Sequence, residues 1–348
     1  MKLKNEKIVY TAKNRTDNYY TLLEREGVVY LYSNCWTKEI LTVCSKSRDG
    51  LSFEKPEGVF KNSGVTHNFL PFKNKNGELY GIGGVDSWKH EAKWHTIDDY
   101  ELFKKEFLKR FNTPYIKDEA RFQRFREVIK SKKCLNHTSG LYLFKHETNN
   151  IWSQVQKQPI VTAWSDGFNS AFKWGKSTEF DGHISIVYNN KTDKYILYLR
   201  NNIKCGTRYI QYAESKDLIN WSKFKSINID GFDVDKDNYY YANIIKHPDR
   251  DLFIGFLPYF DNLNCCVRLV ASEDGINFKI TGELFNDKIA LLKDKPKNTI
   301  MAVNGILHDN DNYYIYFHFN YLGLDQNKDV VIKRFEVDKN SFNGAFKC

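Results

Sequence analysis

The sequence predicts an all-β chain, a five-bladed β-propeller with a helical insertion in blade two. Three observations carry this expectation. A short turn motif recurs at blade-like spacing, strand-forming runs precede its copies in series, and aromatic residues make up 16% of the 348 residues. The clearest copies of the turn are Ser47-Arg48-Asp49-Gly50-Leu51-Ser52-Phe53, Ser215-Lys216-Asp217-Leu218-Ile219-Asn220-Trp221 and Ser272-Glu273-Asp274-Gly275-Ile276-Asn277-Phe278. Weaker relatives are Thr148-Asn149-Asn150-Ile151-Trp152 and Val337-Asp338-Lys339-Asn340-Ser341-Phe342. Asp217 and Asp274 are 57 residues apart, and Asp274 and Asp338 are 64 apart, a period that suits one four-stranded blade.

The chemistry of the turn fits that role. Asp or Asn bonds its own backbone, and Gly takes a positive φ at no steric cost, so Asp-Gly closes a tight hairpin. The aromatic residue that follows anchors the outgoing strand. The first blade reads Tyr19–Leu23, Val28–Tyr32 and Ile40–Cys44 before the Asp49 turn. The third reads His183–Tyr188, Tyr195–Arg200 and Tyr209–Ala213 before the Asp217 turn. Tyr240–Ile245, Leu252–Leu257 and Cys266–Ala271 make the fourth, and Ile300–Leu307, Tyr313–Phe319 and Val330–Val337 the fifth. β-Branched and aromatic residues fill these runs, and Asn, Asp, Lys and Gly bound them.

Blade two departs from the period. It begins at Thr66–Phe72 and Glu78–Gly84, but its third strand, Gly140–Phe144, comes much later. Asp49 and Asn149 are 100 residues apart, which leaves 43 in excess, expected as an insertion near 88–134. There Ile97, Tyr100, Phe103, Phe107 and Phe111 recur at helical spacing, with Asp98 and Asp99 at the favourable N-terminal end. A second helix is expected over 117–130, after Pro114. The insertion holds 13 Lys/Arg against 8 Asp/Glu, so +5 of the chain's net +9 lies in it. It reads as a helical hairpin with a solvated basic face, or as a lid or docking surface. No nucleic-acid motif accompanies the charge.

The whole chain, 1–348, is expected to be one propeller domain. Its seven cysteines are irregularly placed and form no CxxC pair, which argues against a zinc site or a disulfide scaffold. Free thiols and the lack of a signal-peptide pattern near Met1 lead to the expectation of a reducing, cytoplasmic compartment. No run of about 18 apolar residues suggests a membrane span.

A propeller gathers the starts of its innermost strands around one axial funnel, so polar residues there meet from distant parts of the chain. Those starts carry Asp17-Asn18-Tyr19, Thr66-His67-Asn68-Phe69, Phe180-Asp181-Gly182-His183, Asp237-Asn238-Tyr239-Tyr240-Tyr241 and Ala302-Val303-Asn304-Gly305. Phe180-Asp181-Gly182, Lys194–Arg200, Arg208-Tyr209-Ile210, the Ser-x-Asp-x-x-x-Trp turn and His67-Asn68-Phe69-Leu70-Pro71-Phe72 together resemble the five-bladed glycoside hydrolase superfamily. That superfamily includes β-fructosidase-like and arabinanase-like enzymes, and the likeness spans roughly 15–340 outside the insertion.

The resemblance implies hydrolysis of a glycosidic bond by paired carboxylates, with a carbohydrate ligand and no cofactor or metal needed for the chemistry. It carries the catalytic roles to Asp181 and to Asp237, which stands where the family pattern has Glu. Gly182 replaces a Ser of that pattern, and Asp17 loosely matches its blade-one Asp. The Arg-Asp-Pro motif of true β-fructosidases is absent. His67, Asn68, His183, Arg200, Tyr241 and Asn304 are the expected substrate-binding residues. Two further readings remain open: a glycan-binding propeller without catalysis, and an interaction scaffold that uses the basic insertion.

Overall fold

In the computed structural model, five sheets built mainly of antiparallel strands follow one another in the chain as blades I to V of a propeller. The structure describes residues 1–12, 17–36, 40–60, 65–85, 97–111, 140–148, 151–162, 165–169, 182–203, 207–261, 264–288, 291–292, 295–296, 300–321 and 328–347, with Glu119, Gln123 and Arg126. Blade I runs outward from the axis as Asn18–Arg25, Val28–Trp36, Ile40–Ser47 and Glu57–Gly58. Blade II consists of Val65–Lys73, Leu79–Val85, Gly140–His146 and Trp152–Gln154. Blade III consists of Ser185–Asn189, Lys194–Asn202, Arg208–Ser215 and Lys225–Ser226.

Blade IV has a divided inner strand, Asn238–Tyr239 and Ile244–Lys246, followed by Phe253–Phe260, Asn264–Ser272 and Asn277–Lys288. The short Asn228–Ile229 strand adds in parallel at its outer edge. Blade V is divided in the same way, into Met301–Ala302 and Leu307–His308, before Asn312–Phe319 and Val331–Asp338.

The outermost strand of blade V comes from the other end of the chain. Lys4–Thr11 pairs antiparallel with Val331–Asp338, from Lys4 opposite Glu336 to Thr11 opposite Val331. This corrects the fifth turn expected at Val337–Phe342. Instead of turning into a fourth strand, the chain forms the helix Lys339–Ala345, whose N-cap Asp338 accepts the Ser341 amide at 2.8 Å. Phe342 and Phe346 bury against blades IV and V. The N-terminal strand already fills the edge where a hairpin partner would have gone.

Each interface between neighbouring blades holds its own apolar wedge, and these wedges are the core. Tyr32, Cys44, Phe69 and Trp152 lie between I and II, Ile82, Leu143, Leu197 and Ala213 between II and III. Tyr198, Ile210, Tyr239 and Phe253 fill III–IV, Phe256, Leu269, Ile315 and Phe335 fill IV–V, and Leu22, Leu31, Tyr316 and Ile332 close V onto I. The high Tyr and Phe content supplies these wedges, because splayed sheets need bulky side chains to fill the space between them.

The three strong turn copies behave alike. Asp49 Oδ1 accepts from the Ser47 hydroxyl at 2.8 Å and from the Leu51 and Ser52 amides at 2.8 and 2.9 Å. Asp217 and Asp274 repeat the pattern with Ser215, Ile219 and Asn220, and with Ser272, Ile276 and Asn277. Leu218 takes the left-handed φ that Gly50 and Gly275 supply in the other copies. All three turns join third to fourth strands, at the end of the propeller opposite the starts of the inner strands.

The insertion leaves blade II at Val85 and returns at Gly140, residues that pair with each other and, through Val85, with Val65 at the start of the inner strand. It therefore rises from the end where the inner strands begin. One helix, Tyr100–Phe111, matches the expected periodicity and buries Phe103. The second expected helix lies outside the described residues except for Glu119, Gln123 and Arg126, which are helical.

Candidate functional site

Every inner strand is irregular where it meets the axis. In blade I the register shifts between Asn18 and Thr21, with Tyr19 at φ 55°. In blade II it shifts between His67 and Leu70, with Asn68 at φ 56°. These are bulges, which re-aim side chains and free backbone groups from the ladder. Gly182 of blade III has φ 126°, and blades IV and V interrupt their strands over 240–243 and 303–306. The freed polar groups turn inward and bond across the axis.

His183 shows the result. Its Nε2 lies 3.1 Å from the Tyr20 carbonyl and 3.2 Å from the Thr21 hydroxyl, both on blade I, and its Nδ1 lies 2.9 Å from the Ile184 carbonyl. Complete burial drives its pKa down to about 4, although the two carbonyls pull the other way. Asn304 of blade V donates to the Ser185 hydroxyl at 3.1 Å, and that oxygen also accepts the Ile244 amide at 3.0 Å and donates to the Ala242 carbonyl at 3.2 Å. Tyr241 and Asn243 donate to the carbonyls of Ala302 and Val303, each at 3.3 Å. Blades I, III, IV and V are thus tied together at one level. Asn68 joins blade II to blade I by accepting from Asn34 Nδ2 at 3.3 Å.

His183, Tyr241, Asn304 and Asn68 are all buried. Their polar atoms hold the blades to one another and form the floor of the funnel. Around them stands a tyrosine ring: Tyr19 is 6.0 Å from Tyr241 and 6.3 Å from Tyr321, and Tyr240 is 5.8 Å from Tyr321. Arg200, also buried, runs over Gly182 toward Tyr240. His67 pairs with Gly84 in the inner strand of blade II, but its side chain is outside the described set. Asp181 lies outside the described residues.

Asp237 occupies a different setting. Its Oδ1 accepts from Tyr259 at 2.7 Å and its Oδ2 from the Asp233 amide at 2.8 Å. Burial, and then the bond to Asp237, push the Tyr259 phenol far above its usual range. Arg268 stacks 3.4 Å from the Tyr259 ring centroid, donates to Tyr239 at 2.7 Å and pairs with Glu283 at 3.3 Å. The bonds of the Asp237 carboxylate therefore stay within blade IV, whereas those of His183 cross the axis.

Sequence reasoning did not single out Thr21, Ser185, Asn243 or Tyr321. Ser185, a small polar residue at the head of an otherwise apolar strand, was the available signal. Among the described residues, no group of three or more His, Cys, Asp or Glu could hold a metal ion, and no helix is long and apolar enough to cross a membrane. Cys44, Cys265 and Cys266 are buried.

No family model and no curated protein matches the chain. Solved structures do. An N-acetylgalactosamine deacetylase from F. plautii, in complex with blood group B trisaccharide, aligns at a TM-score of 0.54 and 12% identity, over 96% of this chain and 93% of its own. Zg3597, a family 117 glycoside hydrolase from Zobellia galactanivorans, aligns at 0.50 and 12% identity, over 98% and 91%. A glycosyl hydrolase from Bacteroides ovatus aligns at 0.50 and 13%, over 93% and 84%. The fold is that of the five-bladed glycoside hydrolase propellers. At such identities the likeness concerns the course of the chain, and the chemistry of this funnel has to be argued from its own residues.

Proposed function

We propose that this protein binds a glycan at the funnel mouth and hydrolyses a glycosidic bond there. The observation that carries this reading is the irregularity at the head of the inner strands, which brings polar groups from all five blades, and tyrosines from blades I, IV and V, to one end of the axis. Tyr240, the half-buried member of the tyrosine group, offers a face on which a sugar ring can stack, and a rigid, hydrogen-bonded floor lies beside it. Asp181, the residue before Gly182 in sequence, is the proposed first carboxylate, with Asp237 as its proposed partner. One would protonate the leaving oxygen while the other attacks the anomeric carbon or activates water, retention going with a separation of about 5–5.5 Å and inversion with about 6.5–9.5 Å.

The engagement of both Asp237 oxygens within blade IV favours a second reading, a funnel that binds glycan without cleaving it. A glycan array followed by an aryl-glycoside screen separates the two. Cleavage by the parent that Asp181→Asn and Asp237→Asn each reduce at least 10³-fold, with binding retained, supports hydrolysis. Binding without cleavage in all three proteins supports the second reading. A folded parent that binds no glycan overturns both.

A further inference from the structure

Asp237 and Asp261 bracket one phenol. At the head of blade IV, Asn238 lies opposite Phe260 and Tyr239 opposite Tyr259, so the same antiparallel register carries Asp237 to a place opposite Asp261. The Tyr259 hydroxyl stands between the two carboxylates, 2.7 Å from Asp237 Oδ1 and 3.1 Å from Asp261 Oδ2. A phenol has a single proton, which can be given fully to only one of them at a time. The two ends of this short chain differ in their access to water: Asp237 and Tyr259 are buried, whereas Asp261 is half-buried. Arg268, stacked 3.4 Å from the Tyr259 ring centroid, holds the ring in place.

The other Asp237 oxygen accepts the Asp233 amide at 2.8 Å. Both oxygens therefore face donors, an arrangement suited to taking a proton rather than giving one. Under the hydrolysis reading above, on which this inference rests, Asp237 is then the base and Asp181 the acid. Asp181 gives its proton to the leaving oxygen, which keeps the electron pair of the broken glycosidic bond. Water attacks the anomeric carbon from the opposite face, and its proton passes to Asp237. We infer that Tyr259 and Asp261 are positioning residues that carry this proton from the buried base to solvent. The proton on Asp237 moves to Tyr259 Oη as the phenolic proton moves to Asp261 Oδ2, which releases it to water, while Asp181 regains one from solvent. Burial, and then the bond to Asp237, push the phenol far above its usual range, so Tyr259 passes one proton on only as it receives another. A base that acts on water implies inversion at the anomeric carbon.

The test uses the full chain and the aryl glycoside that it cleaves fastest. Proton NMR of the sugar first released should show the inverted anomer, because a base, unlike a nucleophile, leaves no glycosyl-enzyme. Asp261→Asn keeps an oxygen that accepts from Tyr259 but cannot take up its proton. It should lower kcat by about tenfold or more, while KM and the thermal unfolding midpoint hold. Asp261→Glu should restore most of the loss, which a role in packing alone would not explain. Tyr259→Phe should lower kcat in the same way, and Asp261→Asn added to it should cost no more, since both interrupt one path. Retention of configuration, or an unchanged kcat in Asp261→Asn, overturns the relay and leaves the hydrolysis reading intact. A folded parent that cleaves no aryl glycoside overturns that reading as well.

Discussion

The Tyr316 hydroxyl, on the second strand of blade V, donates a 2.7 Å hydrogen bond to the Gly50 carbonyl in the turn of blade I. The Tyr198 hydroxyl of blade III does the same for the Gly275 carbonyl in the turn of blade IV, also at 2.7 Å. A turn read from sequence as the end of a hairpin is therefore also a joint between neighbouring blades.

Substitutions at this joint should separate backbone strain from crowding. At Gly50, with φ +65°, a Cβ would sit 2.6 Å from the Tyr316 hydroxyl and 2.9 Å from Leu307 Cδ1, whereas at Gly77, with φ +80°, it would meet nothing within 4 Å. Gly77→Ala should cost only left-handed strain, about 1–2 kcal/mol. Gly50→Ala should cost roughly 1–3 kcal/mol more, because steric overlap adds to the strain. Tyr316→Phe should lose about 1–3 kcal/mol, as it leaves a buried carbonyl without a partner. Urea denaturation of the three variants checks the order.

Ser185→Ala should destabilise by about 2–4 kcal/mol, more than a typical serine. It removes one bond each to Asn304, Ile244 and Ala242 and leaves buried polar groups of blades IV and V unsatisfied. Ser185→Thr adds a methyl group to a residue with no exposed surface and should not rescue it. Denaturation midpoints of both variants test this.

Acid should weaken the fold in two stages. Burial lowers His183 and His247 to about 4 and His318 to about 3, and among the described residues neither ring nitrogen of His318 has a hydrogen-bond partner. The unfolded chain takes up these protons near pH 6.5 and the folded chain only near pH 3–4. The unfolded state thus binds more protons in between, and stability falls as pH drops through that window, by up to roughly 1.4 kcal/mol per pH unit for each histidine. At Asp49 the bonds from the Ser52 and Leu51 amides hold the carboxyl near 2. At Asp217 and Asp274 burial opposes similar bonds, which still win and bring the group to about 2. Their contribution is present above pH 4 and is lost between about 4 and 2. His318→Phe should flatten the upper stage in a stability–pH profile.

Deleting residues 1–11 should remove the outer strand of blade V and its pairing with Val331–Asp338. The loss should be on the order of 5 kcal/mol at about 1 kcal/mol per bond, and should leave an exposed edge prone to association. Thermal unfolding with light scattering measures both effects. Unchanged melting would mean that the strand does not hold the ring closed.

Much of the fold was legible because it is written in local chemistry. The Ser-x-Asp turns, the apolar strand runs and the excess spacing before Asn149 locate the blades and the insertion. Lys4–Thr11 was missed because its partner lies at the far end of the chain, and an edge strand exposed along most of its length, with only Val9 buried, has a weak pattern. The floor of the funnel was legible only as a set of polar residues near strand starts. Whether Asn304 faced solvent or Ser185 depended on bulges and breaks in the inner strands, which arise from cross-axis packing. Leu218, left-handed where its counterparts are Gly, shows how tertiary contacts can hold a turn that its own residue disfavours.

The pairing of Thr11 with Val331 also sets a schedule for biosynthesis. Lys4–Thr11 leaves the ribosome ahead of its partner strand Val331–Asp338 and has to wait for it. At 5–20 residues per second, roughly 320 residues separate the two partners by about 20–60 s. During that time Lys4–Thr11 is an orphan strand beside a growing nascent chain, and its Lys4, Glu6 and Lys7 are charges of the kind that discourage strand addition by strangers. Four blades can therefore accumulate as an open arc, and the circle is fastened only after translation has reached the last of them.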